Sequence, residues 1–378
     1  MATTFKNFLS NDIANTRTLL HEAIPITGSL VSGTYLEGST ETNIKTYGHG
    51  MFTSVYDYPY LSSSANHIFD MSAGYASTSG LSASVTSQPA KKQNIYNQMA
   101  QYLVGYDQTG SIKKFVMPTT NTVMNDVFFV PFARLLTKDE IKKGSVSLEF
   151  GLSASYSEDG TLFSKRGKLI DYSGSNGYYV DSPAGEYGVL YGTSSTSASQ
   201  ALGPHGGGVF ASETLGDTGT MPAVGLVYYQ AGVAVVSGSL FGASAVGGVL
   251  KDTLGTNALR STGGASGFNT ITGSTIEEMN TGVRHRIFNI SYNNTTELNS
   301  TIYFCRAGHN DFNYSSNPTY LSSSQIRVKT RASDTPVSYI TTVGLYSADN
   351  ELLAVAKLSE PLKKDPTNEI TLRVRLDY

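Results

Sequence analysis

Six histidines and one cysteine are the side chains from which catalysis or metal binding would most readily be built: His21, His49, His67, His205, His285, His309 and Cys305. No two of the histidines form an HExxH pair, and none is spaced to set two imidazoles on one helical face, so no metal site is expected. His309-Asn310-Asp311 follows the segment that holds Cys305, an order that invites a thiol–imidazole nucleophile. Cys305 alternates with Tyr303 in a strand-like run, however, and a buried small hydrophobe in mid-strand is the expectation there. His49 lies between glycines and His67 follows Asn66 in a Tyr-rich stretch; both read as loop hydrogen-bonding groups. The chain has no GxSxG elbow, no phosphate-binding loop and no dinucleotide fingerprint after a strand. The run SEDG at 157–160 reads as a turn, because the later ligands of a calcium loop are missing. The adjacent acids Asp139-Glu140 and Glu277-Glu278 read as helix-end and solvating groups. No catalytic residue and no cofactor is expected.

The composition narrows the partners. Of 378 residues only 15% are charged, against roughly a quarter in ordinary soluble domains, and the net charge is −3. Neither nucleic acid nor an anionic membrane is an expected partner for such a chain. The single cysteine excludes an intrachain disulfide framework. The opening MATTFKNFLSNDIANT lacks a basic region followed by an apolar run, so no export signal is expected. No run of about 18 apolar residues suggests a membrane span. Glycine (38 residues) and tyrosine (24, against 16 phenylalanines) are abundant, which suits tight turns, half-buried strands and protein interfaces.

The elements that would position any site are mostly strands. Residues 5–24 place Phe5, Phe8, Leu9, Ile13, Leu19, Leu20 and Ile24 at loosely helical intervals and predict a helix. Residues 92–104, with Ile95, Met99 and Leu103 on one face and Gly105 as a stop, predict a second. A third is expected to start at Thr137 in TKDEIKKG, acids first and lysines last, and to end at Gly144. Val146, Leu148 and Phe150 alternate as in a half-buried strand. Between Lys168 and Lys251 there is no Lys or Arg. Within that stretch LVYY and VAVV predict a hairpin around Gln230-Ala231-Gly232, while residues 193–223 and 255–280 read as long loops. The C-terminal region predicts successive strands: VRHRIFNISYNN, LNSTIYFCRAG, SQIRVKTRA, a hairpin at 339–358, and EITLRVRLDY. In the last, Ile370, Leu372, Val374 and Leu376 face one way, and Thr371, Arg373, Arg375 and Asp377 the other.

The expected fold is therefore mainly β with a few short helices (α+β), built as antiparallel sandwich or barrel-like domains with long Gly/Ser-rich loops. Three segments are expected: a mixed α/β part at 1–170, a low-charge Gly/Ser-rich part at 171–280, and an antiparallel β module at 281–378.

Several blocks add a resemblance. GLYSADNELLAVAKLSEPLKKDPTNEITLRVRLDY at the end is similar to a segment recurrent in structural proteins of tailed bacteriophages. NIKTYGHGMFTSVYDYPYLSSSANHIFD (43–70), RLLTKDEIKKGS (134–145), SPAGEYGVLYG (182–192) and VGLVYYQAGVAVV (224–236) resemble blocks in virion proteins of contractile-tailed phages of marine bacteria. The resemblance implies a non-enzymatic virion component of the tail, neck or baseplate. It would be assembled in the host cytoplasm as a homo-oligomer and would dock other ring, baseplate or fibre proteins. The low charge fits a surface covered by neighbours. The expected contacts are Tyr346, Asp349 and Asn350 at the hairpin tip, with Arg373 and Arg375 on the last strand. A receptor-binding protein, with Tyr56, Tyr58 and Tyr60 stacking against host sugars, is the alternative. A head-decoration protein and a glycan hydrolase rank behind it.

Overall fold

The computed structural model describes residues 5–27, 42–79, 88–119, 121–151, 166–171, 177–195, 223–238, 275–284, 287–315, 321–322, 325–326, 331 and 333–378. The strands are β1 (Ile13–Thr27), β2 (Ile44–Thr46), β3 (Thr53–Tyr56), β4 (His67–Tyr75), β5 (Val116–Met117), β6 (Thr122–Val123) and β7 (Asp126–Pro131). They continue with β8 (Glu140–Ile141), β9 (Ser147–Gly151), β10 (Arg166–Ile170), β11 (Tyr187–Ser195), β12 (Ala223–Tyr228) and β13 (Val233–Ser237). The C-terminal strands are β14 (Ile287–Ala307), β15 (Leu321–Ser322), β16 (Gln325–Ile326), β17 (Ser338–Tyr346), β18 (Leu352–Lys364) and β19 (Ile370–Asp377). Among the described residues three α-helices interrupt them: α1 (Pro89–Leu103), α2 (Arg134–Thr137) and α3 (Ile276–Arg284). The protein is β-rich, as its strand patterns require. Among the described residues no helix is long and apolar enough to cross a membrane.

By contacts the chain divides into two units, Leu20–Thr296 and the pair Met1–Leu19 with Glu297–Tyr378. These lines differ from the three compositional segments. The larger unit draws its strands from both sides of residue 171, and the smaller joins the two ends of the sequence. Residues 196–222 and 239–274, most of the expected long loops, lie outside the described residues, as do SEDG, His205 and His285.

In the larger unit the strands form an antiparallel path β14-β9-β10-β11-β12-β13-β7-β4-β3-β2, with β8 also on β14. Central strands β7, β12 and β13 are apolar on both faces. Val127, Phe129, Val233, Val235, Leu226 and Tyr228 pack into one core with helix α1. Phe128, Val130, Ala234, Val236, Val224 and Val227 pack into another with α3. This is why VFFV and VAVV read as continuous apolar runs: each face has a cover. The second core also takes Ile44 and Val55 from one end of the path and Ile287 and Ile290 from the other, so the sheet curls around it. Phe132, just past β7, meets Tyr292 of β14 at 4.8 Å between ring centroids.

Helix α1 and the strand carrying Leu148 and Phe150 lie where the sequence predicts them. Gly105 takes φ +86° and its N–H bonds Ala100 O, which closes α1. The Gln230–Gly232 hairpin also forms, between β12 and β13.

Three predictions fail, the first two because the backbone pairs with distant segments. Residues 5–24 are not a helix. After one 3-10 turn at Ser10–Asp12 the chain runs extended as β1 beside β14. There Glu22 N–H bonds Asn294 Oδ1 at 3.1 Å, and Leu19 and Leu20 stay exposed. The helix expected from Thr137 to Gly144 instead ends at Thr137, because Lys138 takes φ +55° and the next amides go elsewhere. Asp139 N bonds Thr295 O, Ile141 N bonds Tyr229 O, and Lys142 N bonds Asn293 O. Finally, residues 276–284, expected within a loop, are helical. Thr275 and Glu278 form a reciprocal cap: the Thr275 N–H bonds Glu278 Oε2 at 2.7 Å and the Glu278 N–H bonds Thr275 Oγ1 at 3.2 Å.

Candidate functional site

Two surfaces hold most of the residues singled out from the sequence, and Arg373 and Arg375 lie apart from both on β19. The first is the β17–β18 ribbon of the smaller unit. Its strands pair with each other and with no third strand among the described residues. Asn350 at the turn takes φ +64°, and the Ser347 carbonyl and hydroxyl accept the amides of Asn350, Asp349 and Glu351. Val343 and Leu345 oppose Ala356 and Ala354 on the inner face. On the outer face Gly344 opposes Val355 and Tyr346 opposes Leu352. A Cβ on Gly344 would meet the Tyr346 ring at 3.0 Å and Leu352 Cδ1 at 3.3 Å, so both side chains lie across it. The result is an apolar outer face in water: Tyr346 is 58% exposed, Leu352 53%, Leu353 68% and Val355 53%. Beneath the ribbon a groove of about 960 Å³ runs past Phe8, Phe304, Tyr314, Val343 and Leu372.

Thus Tyr346, Asp349 and Asn350 are grouped at one exposed end, as proposed from the sequence, and the apolar leucines beside them are an addition. Arg373 and Arg375 do share the outward face of β19. Arg375 is engaged within its own sheet, since its Nε bonds Asp377 Oδ1 at 2.7 Å and its Nη2 bonds Ser300 Oγ at 3.0 Å. Arg373 is exposed and has no side-chain partner among the described residues.

The second surface is the outer face of β2-β3-β4 in the larger unit. Ile44, Val55 and Phe69 form an inward row across the three strands, and Lys45, Ser54 and Asp70 form the row on the opposite sheet face, with Ser54 itself buried between Tyr47 and Asp70. Residues three apart in a regular strand point to opposite faces. Here the register shifts between Val55 and Tyr56, so that Tyr56 pairs with His67 and Ile68 is skipped. Ile68 turns inward, and its carbonyl accepts the Ala133 N–H at 2.8 Å. The bulge brings His67 and Asp70 together: His67 Nε2 lies 2.8 Å from Asp70 Oδ1, which also accepts the Ser54 hydroxyl. Asp70 Oδ2 has no partner among the described residues.

Aromatic rings surround this pair. Tyr56 lies 5.5 Å from the His67 ring and 6.4 Å from Tyr60, and Tyr47 bonds Ser54 Oγ at 3.2 Å. Burial, with Tyr47 and Asp70 close by, pushes the Tyr56 hydroxyl above the ordinary phenol range. Tyr58 is exposed and stacks with neither of its neighbours. Asp57 is occupied by Asn66, whose N–H and side-chain amide bond its two oxygens at 2.6 and 2.8 Å. His67 is therefore a strand residue in a polar cluster and not the loop group expected from the sequence. His49 does act locally, its Nδ1 accepting the Met51 N–H at 3.1 Å.

The thiol–imidazole idea finds no support in the geometry. Cys305 is half-buried in β14, with burial and then Asp12 raising its thiol pKa. A raised pKa is opposite to what a nucleophilic thiol needs. His309 instead faces Pro366 O at 3.2 Å and Glu369 at 3.5 Å. Nearby, Lys364 is fully buried, and its ammonium bonds Asn313 Oδ1 at 2.8 Å, Asp365 O at 2.9 Å and His309 O at 3.3 Å. It fastens two loops of the smaller unit to one charge. Lys364→Met leaves one buried and two partly buried acceptors without this donor, and chemical unfolding followed by near-ultraviolet circular dichroism is expected to show a loss of roughly 2 kcal/mol.

Among the described residues no group of three or more His, Cys, Asp or Glu is placed to hold a metal ion. Comparison with protein-family models, with curated proteins and with solved structures finds no match to this chain.

Proposed function

We propose that this chain is a non-enzymatic structural subunit of a bacteriophage virion, a tail, neck or baseplate connector that self-associates and docks neighbouring ring or fibre proteins. The observation that carries the reading is the outer face of the β17–β18 ribbon. A two-stranded ribbon by itself is marginal in water, and this one, with no third strand among the described residues, exposes Tyr346, Leu352, Leu353 and Val355 side by side. A contiguous apolar surface of this kind favours burial against another protein. The low overall charge and the resemblance of the C-terminal blocks to phage structural segments support the same reading.

The absolute mass of the full chain, measured in solution over a range of concentrations, tests it. A discrete oligomer is expected. Leu353→Asp with Val355→Asp, at two exposed positions where folding should survive, is expected to weaken association at least tenfold by removing apolar burial and adding like charges across a symmetric contact. A chain that stays monomeric at every concentration, or an unchanged oligomer in the double variant, would overturn the self-association.

A further inference from the structure

We propose that the outer face of the β2-β3-β4 edge is a binding subsite for a neutral hexopyranose, held by Asp70 and His67 and stacked against Tyr56 and Tyr60. This inference is independent of the role of the C-terminal ribbon.

The chemistry follows from what the face offers. Asp70 Oδ1 is oriented by Ser54 and His67, which leaves Oδ2 as a fixed, charged acceptor at a carboxylate that is 29% exposed. A carboxylate accepts strongly from hydroxyl donors, and two neighbouring sugar hydroxyls can share it with the imidazole. When neutral and donating through Nε2, His67 keeps Nδ1 as an acceptor for a second hydroxyl. The tyrosine rings supply apolar faces for the C–H side of a pyranose. One of them, Tyr60, is 37% exposed, and Tyr56 is half-buried beside the imidazole.

Other ligand classes fit less well. An anion would meet Asp70. Among the described residues a metal ion would find one imidazole and one carboxylate, with Lys45 on the same row. Hydrolysis of a glycoside needs two available carboxyl groups, and Asp57, the other acid among the described residues of these loops, already has both oxygens bonded by Asn66. Among the described residues the patch offers groups that bind and no second free carboxyl group that would cleave. The bulge that joins His67 to Asp70 supports this, since an unbroken strand would have set them on opposite faces.

Saturation-transfer NMR on the full chain tests the subsite with the methyl glycosides of glucose, galactose, mannose and N-acetylglucosamine, and a methyl uronoside as the anionic comparison. At least one neutral glycoside is expected to receive saturation on the ring protons of one face. Asp70→Asn is expected to weaken that binding about tenfold, through loss of a charged acceptor. Tyr60→Ala, at an exposed ring that the fold does not require, should weaken it severalfold, while Tyr58→Ala should leave it unchanged. The proposal fails if no neutral glycoside receives saturation, if only the uronoside does, or if Asp70→Asn and Tyr60→Ala both bind as the parent does.

Discussion

A Gly74→Val chain is expected to lose about 3 kcal/mol or more of stability in its larger unit, because the strand that carries His67 and Asp70 touches helix α1 backbone to backbone at that position. A Cβ on Gly74 would lie 2.7 Å from Lys92 O and 2.9 Å from Tyr96 N, both main-chain atoms of the helix. Neither can rotate aside as a side-chain tip would. The helix would have to lift as a body, carrying Ile95, Tyr96, Ala100 and Leu103 away from the core they share with Phe129 and Val235. Tyr96 would also be pulled from its fixed place, where its hydroxyl donates to Met124 O at 2.9 Å and accepts the Phe115 N–H at 3.1 Å. Gly48→Val is the matched control. No atom lies within 4 Å of its Cβ position, so the same change in side chain should shift the unfolding midpoint little. Equal losses from the two variants would show that the close approach of β4 and α1 is not what limits stability.

How far the sequence announces this arrangement depends on whether the signal is local. Helix α1 is legible because its apolar spacing, Pro89 at its start and Gly105 just past its end are all local to it. The alternation of Ile370, Leu372, Val374 and Leu376 is legible for the same reason. Residues 5–24 mislead because their apolar spacing suits a helical face while the hydrogen-bonding partner, β14, lies more than 270 residues away, as Glu22 and Asn294 illustrate. Helix α3 had a local signal, the Thr275-x-x-Glu278 box, which the surrounding Gly, Ser and Thr obscured. Tyr56 and Tyr60 could be named from the sequence because aromatic spacing is visible. Their partners could not: His67 and Asp70 meet only because pairing with β3 and the bond from Ala133 force a bulge at Ile68. The exposed leucines of the ribbon were also missed, since an apolar strand in a hairpin reads as core until its neighbours are known.

The same junction of α1 with β4 sets a pH dependence. Lys92 is buried in the first turn of α1, and burial lowers its ammonium pKa from 10.5 to about 8, against the opposing pull of the Glu278 carboxylate. The positive end of the helix dipole points the same way as burial, disfavouring a cation there. Below pH 8 both folded and unfolded chains carry the proton, and the folded state bears the full penalty. Between pH 8 and 10.5 the unfolded chain holds a proton that the folded one has released, so stability rises with pH, by about 3 kcal/mol if the whole interval is traversed. Tyrosines act in the opposite sense. Burial raises the hydroxyls of Tyr96, Tyr187, Tyr228, Tyr229 and Tyr292 above 10.0. Above pH 10 the unfolded chain therefore sheds protons that the folded one keeps, and stability falls. Thermal unfolding of the larger unit should accordingly be most resistant between about pH 9 and 10. Lys92→Met removes the rising limb and leaves the falling one: it should stabilise the protein by up to about 3 kcal/mol at pH 7, and the gain should fade toward pH 10. A variant less stable than the parent at pH 7 would mean that the contacts of the Lys92 ammonium, Glu278 among them, outweigh its burial.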